Sequence, residues 1–104
     1  MFDPTKSNDV LTYEDFAPYL NHIFKMTVSE EESAELELIQ AEITGPSHFK
    51  GYRDNFWLQF RDASGIQRCQ DTYELAHPKK GLIPVFLIPY RKEANGMYYQ
   101  AIFS

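Results

Sequence analysis

The sequence has 104 residues, of which 43% are hydrophobic and 24% charged, and its 15 acidic and 10 basic residues give a formal net charge of −5. This composition suits one folded domain and excludes the disordered class. With a single cysteine, the chain forms no intrachain disulfide, and it lacks the ligand spacing of a zinc ribbon or finger. The acidic balance disfavours binding to nucleic acids and to anionic membranes, which select clustered lysine and arginine.

The chain shows no targeting signal. Its first ten residues contain no apolar stretch of signal-peptide length, and no run reaches the roughly 18 apolar residues that a membrane span needs. We therefore expect a flexible leader over residues 1–10, a single β-rich domain over residues 11–104, and a cytoplasmic location.

The domain begins with a helix signal. Thr12 followed by Asp15 resembles a capping box, in which the acidic side chain accepts a hydrogen bond from the cap backbone. Pro18 limits the helix, because a proline past the first turn removes a backbone donor. The pattern predicts one short helix over residues 12–20.

An apolar period of two follows and predicts strands. Two such segments flank the polar sequence SEEES and predict a hairpin. In the second segment the apolar phase changes between Leu38 and Ile39, a change that a β-bulge would produce. Segments 55–61 and 72–76 predict two further strands.

The dipeptide Asn95-Gly96 indicates a tight turn and predicts the last hairpin. A two-residue loop places Ile88 opposite Phe103, and a four-residue loop over residues 93–96 keeps the same side chains on the same faces. Either register directs one set of side chains inward: Phe86, Ile88, Tyr90, Tyr99, Ala101 and Phe103. We expect an all-β fold of about six mostly antiparallel strands, as a small barrel or half-open sandwich, with one short N-terminal helix.

The predicted outer face of the last hairpin carries apolar residues where a solvated face should be polar. These residues are Ile83, Val85, Leu87 and Ile102. Either the N-terminal helix or a second protein chain must cover them. We therefore predict a non-catalytic interaction or structural accessory module that binds another protein, or a second copy of itself, through this face.

Trp57 is the only tryptophan, and by strand phase it shares an outer face with Gln59 and Arg61. A tryptophan beside an arginine is typical of a protein interface or a sugar platform. A loop over residues 45–53 that covered the indole would instead make its role structural. A barrel that binds a small ligand or sugar through Trp57, Tyr90 and Tyr98 is the alternative function.

No pattern indicates a catalytic or metal site. The acidic residues 30–37 lack the spacing of a calcium loop. His22, His48 and His77 are isolated in sequence, and Cys69 lies in no nucleophile signature. The glycines form no phosphate-binding loop. We expect no catalytic residue, no metal and no cofactor, and an enzyme is the least favoured class.

Several segments together resemble a known family: LTYEDFAPYLN, AELELIQAE, FWLQF, DTYELAHP, VFLIPY and YYQAIF. They are similar to short, uncharacterised bacterial proteins that are often encoded near proteins resembling phage tail collars. The similarity covers nearly all of Leu11 to Phe103. The family has no assigned catalytic residues, and its gene neighbours imply a structural or accessory role beside a phage-tail-like or secreted assembly.

Overall fold

Six strands pair in antiparallel fashion in the computed structural model, which describes residues 11–45 and 54–103. The strands are β1 (Ile23–Thr27), β2 (Ser33–Gly45), β3 (Asn55–Asp62), β4 (Asp71–His77), β5 (Gly81–Glu93) and β6 (Gly96–Phe103). They close in the order β1-β2-β3-β6-β5-β4 into a barrel, so the predicted fold class is confirmed in its barrel form. The expected leader over residues 1–10 lies outside the described residues. Within the described part of the chain, no helix has the length and apolar character needed to cross a membrane.

The predicted short N-terminal helix is confirmed as a helical segment over residues 13–19, which consists of two consecutive 3-10 turns. They span Tyr13–Asp15 and Ala17–Tyr19. The carboxylate of Asp15 accepts a hydrogen bond from the backbone N–H of Thr12 at 2.7 Å, as the capping pattern predicted. Pro18 stands in the middle of the second turn, where its missing N–H prevents the regular bonding of a longer α-helix.

These turns cover one end of the barrel, and we call residues 12–20 the plug. The ring of Phe16 is fully buried and lies with its centroid 6.5, 6.0 and 5.9 Å from those of Phe24, Phe56 and Phe103. Removing a side chain of this size from water stabilises the fold by about 2–3 kcal/mol. The plug is therefore anchored to the barrel by its aromatic centre.

The bulge predicted in β2 is confirmed. The register between β2 and β3 shifts between Leu38 and Gln40, while Leu36 and Leu38 before the shift are fully buried. After it, Ala41 pairs with the buried Leu58. One extra residue thus lets the apolar side chains on both sides of the bulge face the interior.

Of the two registers predicted for the last hairpin, the one from the four-residue loop gives the observed pairs beside the turn, where Arg91 pairs with Tyr98 and Lys92 with Met97, and both are wrong farther along the strands. Glu93 pairs with Gly96 across a two-residue loop, and a second shift lies between Pro89 and Arg91. Beyond that shift Ile88 pairs with Gln100 rather than with a residue of the inner set. A shift of one residue moves every following side chain to the opposite face.

The shift reverses the predicted faces in the first half of β5. Ile83, Val85 and Leu87 point into the barrel and are at most 2% exposed, whereas Phe86 is 49% exposed. The prediction that these three residues form an outer apolar surface is therefore wrong. Of the four, Ile102 alone lies outside, at 58% exposed.

The prediction of which side chains of the last hairpin point inward is corrected by the same shift. Tyr99 and Ala101 are buried as predicted, since β6 keeps its phase. Phe86 and Tyr90 are exposed, and Ile88 lies beside the outward Gln100, because all three belong to the strand whose phase was misassigned.

Leu87→Asp should destabilise the domain by more than about 3 kcal/mol, because it places a carboxylate in a filled core. Phe86→Asp, one residue away on the outside, should change the free energy of unfolding by no more than about 1 kcal/mol. Urea denaturation followed by circular dichroism measures both. Equal losses would contradict the observed phase of β5.

Gly96→Ala should cost more than about 3 kcal/mol. Gly96 has φ of +143°, and a Cβ there would lie 2.5 Å from the carbonyl oxygen of Asp62. Gly65 is the matched control, because its φ is +74° but a Cβ would meet nothing within 4 Å. Gly65→Ala should therefore cost only the backbone strain of about 1–2 kcal/mol. A Gly96→Ala variant as stable as Gly65→Ala would contradict the close approach of the two strands.

Candidate functional site

Alternate residues of β3 and β6 point to the outside of the barrel, where Trp57, Arg61 and Gln100 are half-buried and Ile102 is exposed, whereas Gln59 and Tyr98 are buried at 8% and 6% exposed. Cross-strand pairing joins Trp57 to Ile102, Gln59 to Gln100, and Arg61 to Tyr98. We call these six residues the β3–β6 face. Seven residues were predicted to bind a partner. Four of them lie on this face, namely Trp57, Arg61, Tyr98 and Ile102. The other three, Ile83, Val85 and Leu87, lie in the core.

The indole of Trp57 is held in one orientation on this face. Its Nε1–H donates to Oε1 of Gln100 at 3.2 Å, and the side chain is half-buried. Trp57 shares the outer side of β3 with Gln59 and Arg61, as the strand phase predicted. The loop that was proposed to cover it falls largely on residues 46–53, outside the described residues.

Arg61 is held at the other end of β3 by two contacts. Its Nη2 lies 3.1 Å from Oε1 of Glu37 on β2, and its Nη1 donates to the backbone carbonyl of Asn95 in the last hairpin. Both charged side chains are partly exposed, so the ion pair adds little to stability. Its main effect is to orient the guanidinium along the face.

Arg91 extends the face onto β5 and was missed by the sequence analysis. Its guanidinium carbon lies 4.2 Å from the centroid of Tyr98 and 5.5 Å from that of Tyr90, which is cation–π geometry. The Tyr98 hydroxyl donates to Oδ1 of Asn95 at 3.0 Å. The bulge in β5 creates this contact, because it turns Arg91 outward opposite Tyr98.

Large apolar side chains fill the interior of the barrel. Leu58, Phe60 and Tyr99, which project inward from β3 and β6, are fully buried. These side chains occupy the space that a ligand would need inside the barrel. For the alternative of a sugar-binding barrel, the geometry therefore permits a site on the outside of the barrel, around Trp57.

A groove of about 350 Å³ lies between the β1–β2 hairpin and the loop that follows β3. At its base, Arg68 Nε and Asp62 Oδ2 lie 4.0 Å apart, and among the described residues neither atom has a hydrogen-bond partner. The second Asp62 oxygen accepts from the backbone N–H and hydroxyl of Ser64, and Arg68 Nη1 lies 2.8 Å from Glu32. These charges fix the loop against the barrel.

Tyr99 completes that attachment from inside the barrel. Its hydroxyl accepts from the backbone N–H of Arg68 at 3.1 Å and donates to the carbonyl of Ile66 at 3.0 Å. Burial raises the pKa of this hydroxyl above its ordinary value, so it stays protonated as a donor.

The fold also joins two histidines that the sequence left apart. Nδ1 of His22 lies 3.1 Å from Nε2 of His77, while His48 lies outside the described residues. Within residues 11–45 and 54–103, no group of three or more His, Cys, Asp or Glu side chains could hold a metal ion. Cys69 is exposed.

Fold and surface together define a small closed β-barrel with a plugged end and an aromatic outer face. The family model for the Domain of unknown function (DUF6916) matches residues 11–103, and the chain belongs to this family. The match begins one residue before the plug and ends with β6. Comparison with curated proteins and with solved structures found no match.

Tyr99→Phe should destabilise the domain by about 1–3 kcal/mol, because it leaves two backbone groups of the loop without their partner. Tyr98→Phe removes a hydroxyl that bonds the side chain of the exposed Asn95, so it leaves no buried group without a partner and should cost less than about 1 kcal/mol. Urea denaturation compares the two variants. Amide exchange should show faster opening at Arg68 in the first variant only, and equal exchange in both would contradict the role of the buried hydroxyl.

Proposed function

We propose that this chain is a non-catalytic protein-interaction module that binds its partner through the β3–β6 face. The observation that carries the proposal is the grouping of the half-buried Trp57, the exposed Ile102 and the exposed Arg91, which lies over the buried ring of Tyr98, outside a barrel whose interior is filled. Tryptophan, tyrosine and arginine are the residues most enriched at the energetic centres of protein interfaces.

The side chains of the face are held in place before any partner arrives. Trp57 is fixed by Gln100, Arg61 by Glu37, and Tyr98 by Arg91. Binding then costs less conformational entropy than it would for free side chains. Such preorganisation favours a surface that docks as a rigid unit.

The charges around the face favour a protein over a nucleic acid. Glu37 and Glu42 of β2 border it, paired across the sheet with Arg61 and Trp57. A phosphate backbone would be repelled by these carboxylates, since nucleic acid affinity depends on neutralising phosphates with basic side chains. A protein surface that carries both polar and apolar groups is not repelled by these carboxylates.

The sequence resemblance gives the proposal a biological setting. Short bacterial proteins of this type encoded near phage-tail-collar-like proteins would serve as accessory parts of a tail-like or secreted assembly. The partner is then another protein of that assembly or a second copy of this chain.

Trp57 also supports a second candidate, a saccharide platform. An indole stacks on the apolar side of a sugar ring, and the adjacent, half-buried amide of Gln100 can bond its hydroxyl groups. This candidate differs from the first because it needs no protein partner.

Site-specific photo-crosslinking in producing cells tests the first candidate. A photoreactive residue at Gln100 should form a defined crosslink to a protein, and Ile102→Asp in the same chain should abolish it. The matched control places the probe at Glu74, which is exposed on β4 across the barrel. With the captured protein purified, Trp57→Ala should weaken its binding at least about tenfold, the effect of a central anchor.

The outcomes separate the candidates. Crosslinks that are equal at both positions, or that persist in Ile102→Asp, would remove the protein-binding proposal. A saturable change of Trp57 fluorescence on titration with saccharides, without a protein crosslink, would favour the platform instead.

A further inference from the structure

The groove between the β1–β2 hairpin and the loop after β3 is lined by charges that do not balance. Four carboxylates and two guanidiniums line it: Glu32, Glu35, Glu37, Asp62, Arg61 and Arg68. The lining therefore has negative charge in excess. Of this set only Arg61 belongs to the β3–β6 face, so the groove is a second surface on the outside of the barrel.

Both arginines of the groove are already paired with its carboxylates. Nη2 of Arg61 lies 3.1 Å from Oε1 of Glu37, and Nη1 of Arg68 lies 2.8 Å from Oε2 of Glu32. An anionic ligand would have to break one of these pairs and would meet the remaining carboxylates. The groove therefore does not select anions.

The uncompensated negative charge lies on Asp62 and Glu35. The side chain of Asp62 is only 3% exposed, and its Oδ2 lies 4.0 Å from Arg68 Nε, which is too far for a hydrogen bond. Glu35 is exposed on β2 and forms no ion pair within the described part of the chain, although Lys25 stands opposite it in the β1–β2 ladder. A cation at this position would gain from both carboxylates.

Two isoleucines give the same groove an apolar part. Ile23, on β1, is 47% exposed, and Ile66, in the loop after β3, is 49% exposed. A ligand with a cationic head and an apolar stem would cover these side chains and place its charge among the carboxylates. Lysine and arginine side chains have this structure, since their methylene stems pack on apolar surface while the charged head stays outside.

A second groove of about 290 Å³ continues the acidic lining around the tip of the β1–β2 hairpin. It shares Glu32 and Ser33 with the first groove and adds Glu30 and Glu31, and Lys25 is the basic residue of its lining. The two linings together hold six carboxylates against three basic side chains. Because the grooves adjoin along shared residues, they suit an extended chain with more than one basic residue better than a single small cation.

We propose that these two grooves bind an extended basic segment of a partner protein, with the head of one lysine or arginine beside Glu35 and its stem against Ile23 and Ile66. Charge complementarity supplies the selectivity, and the attraction weakens with added salt because exposed charges are screened. The proposal does not depend on the β3–β6 face, since its test leaves Trp57 unchanged and needs no captured partner.

NMR titration of the isotope-labelled full chain with the peptide acetyl-Ala-Lys-Ala-Lys-Ala-amide tests the proposal. Amide shifts should change at Glu35 and Ile66 and stay constant at Glu14, which is exposed on the plug and lines neither groove. The same peptide with both lysines acetylated keeps the stems and loses the charges. It should bind at least about fivefold more weakly, because one exposed ion pair contributes about two- to fivefold.

The apolar contact has its own control peptide. Diaminopropionic acid in place of each lysine keeps the charge and shortens the stem, so this peptide should also bind more weakly than the lysine peptide. Ile66→Ser should weaken binding of the lysine peptide and leave that of the diaminopropionic acid peptide unchanged.

Glu35→Gln tests the position of the charge. Because Glu35 is exposed and has no ion pair within the described residues, the variant should fold as the wild type and bind the lysine peptide about two- to fivefold more weakly. Glu14→Gln is the matched control and should bind as the wild type. No shift changes along the grooves, equal binding of the lysine and acetyl-lysine peptides, or an unchanged affinity in Glu35→Gln would each overturn the proposal.

Discussion

The shift between Pro89 and Arg91 is the constraint on which the rest of this structure depends. β5 pairs with β4 over its first half and with β6 over its second, so one strand must satisfy two neighbours of different register. The extra residue lets both ladders form and closes the barrel. Without it, one half of β5 would turn its polar or exposed side chains toward the core.

The same shift builds the outer surface. It directs Leu87 inward, where it completes the core, and Arg91 outward, where it covers Tyr98. A packed interior and an aromatic exterior are therefore two results of one backbone irregularity. The proposed binding surface therefore lies on the outside of the barrel, in contrast to barrels whose lumen holds a ligand.

The two ends of the barrel are closed by different chemistry. At one end the plug combines an apolar centre, Phe16, with an ion pair and a histidine pair around it. At the other, the loop after β3 is held by Tyr99 from within and by Arg68 from the side.

The residue pattern within single segments was sufficient to predict much of the fold. The β class, the capping contact at Thr12, the bulge near Leu38 and the outward phase of Trp57 all follow from residue spacing within one segment. The spacing of apolar residues within a segment indicates whether that segment forms a strand, and pairing with neighbouring strands then stabilises it. The prediction failed for Ile83, Val85 and Leu87 because their face depends on pairing with two strands at once. Pro89, which lies at the shift, was the available signal, since a proline inside a sheet is confined to edges and bulges.

Contacts between distant segments could be settled only by the closed barrel. The meeting of His22 with His77, of Arg68 with Tyr99, and of Trp57 with Gln100 joins residues more than thirty positions apart. Such pairs depend on strand order and register, which follow from the ladder as a whole and not from any one strand. The amino-acid pattern thus specified the strands and much of the composition of the β3–β6 face, and the three-dimensional closure decided which side chains share that face, because register propagates along every strand that the barrel joins.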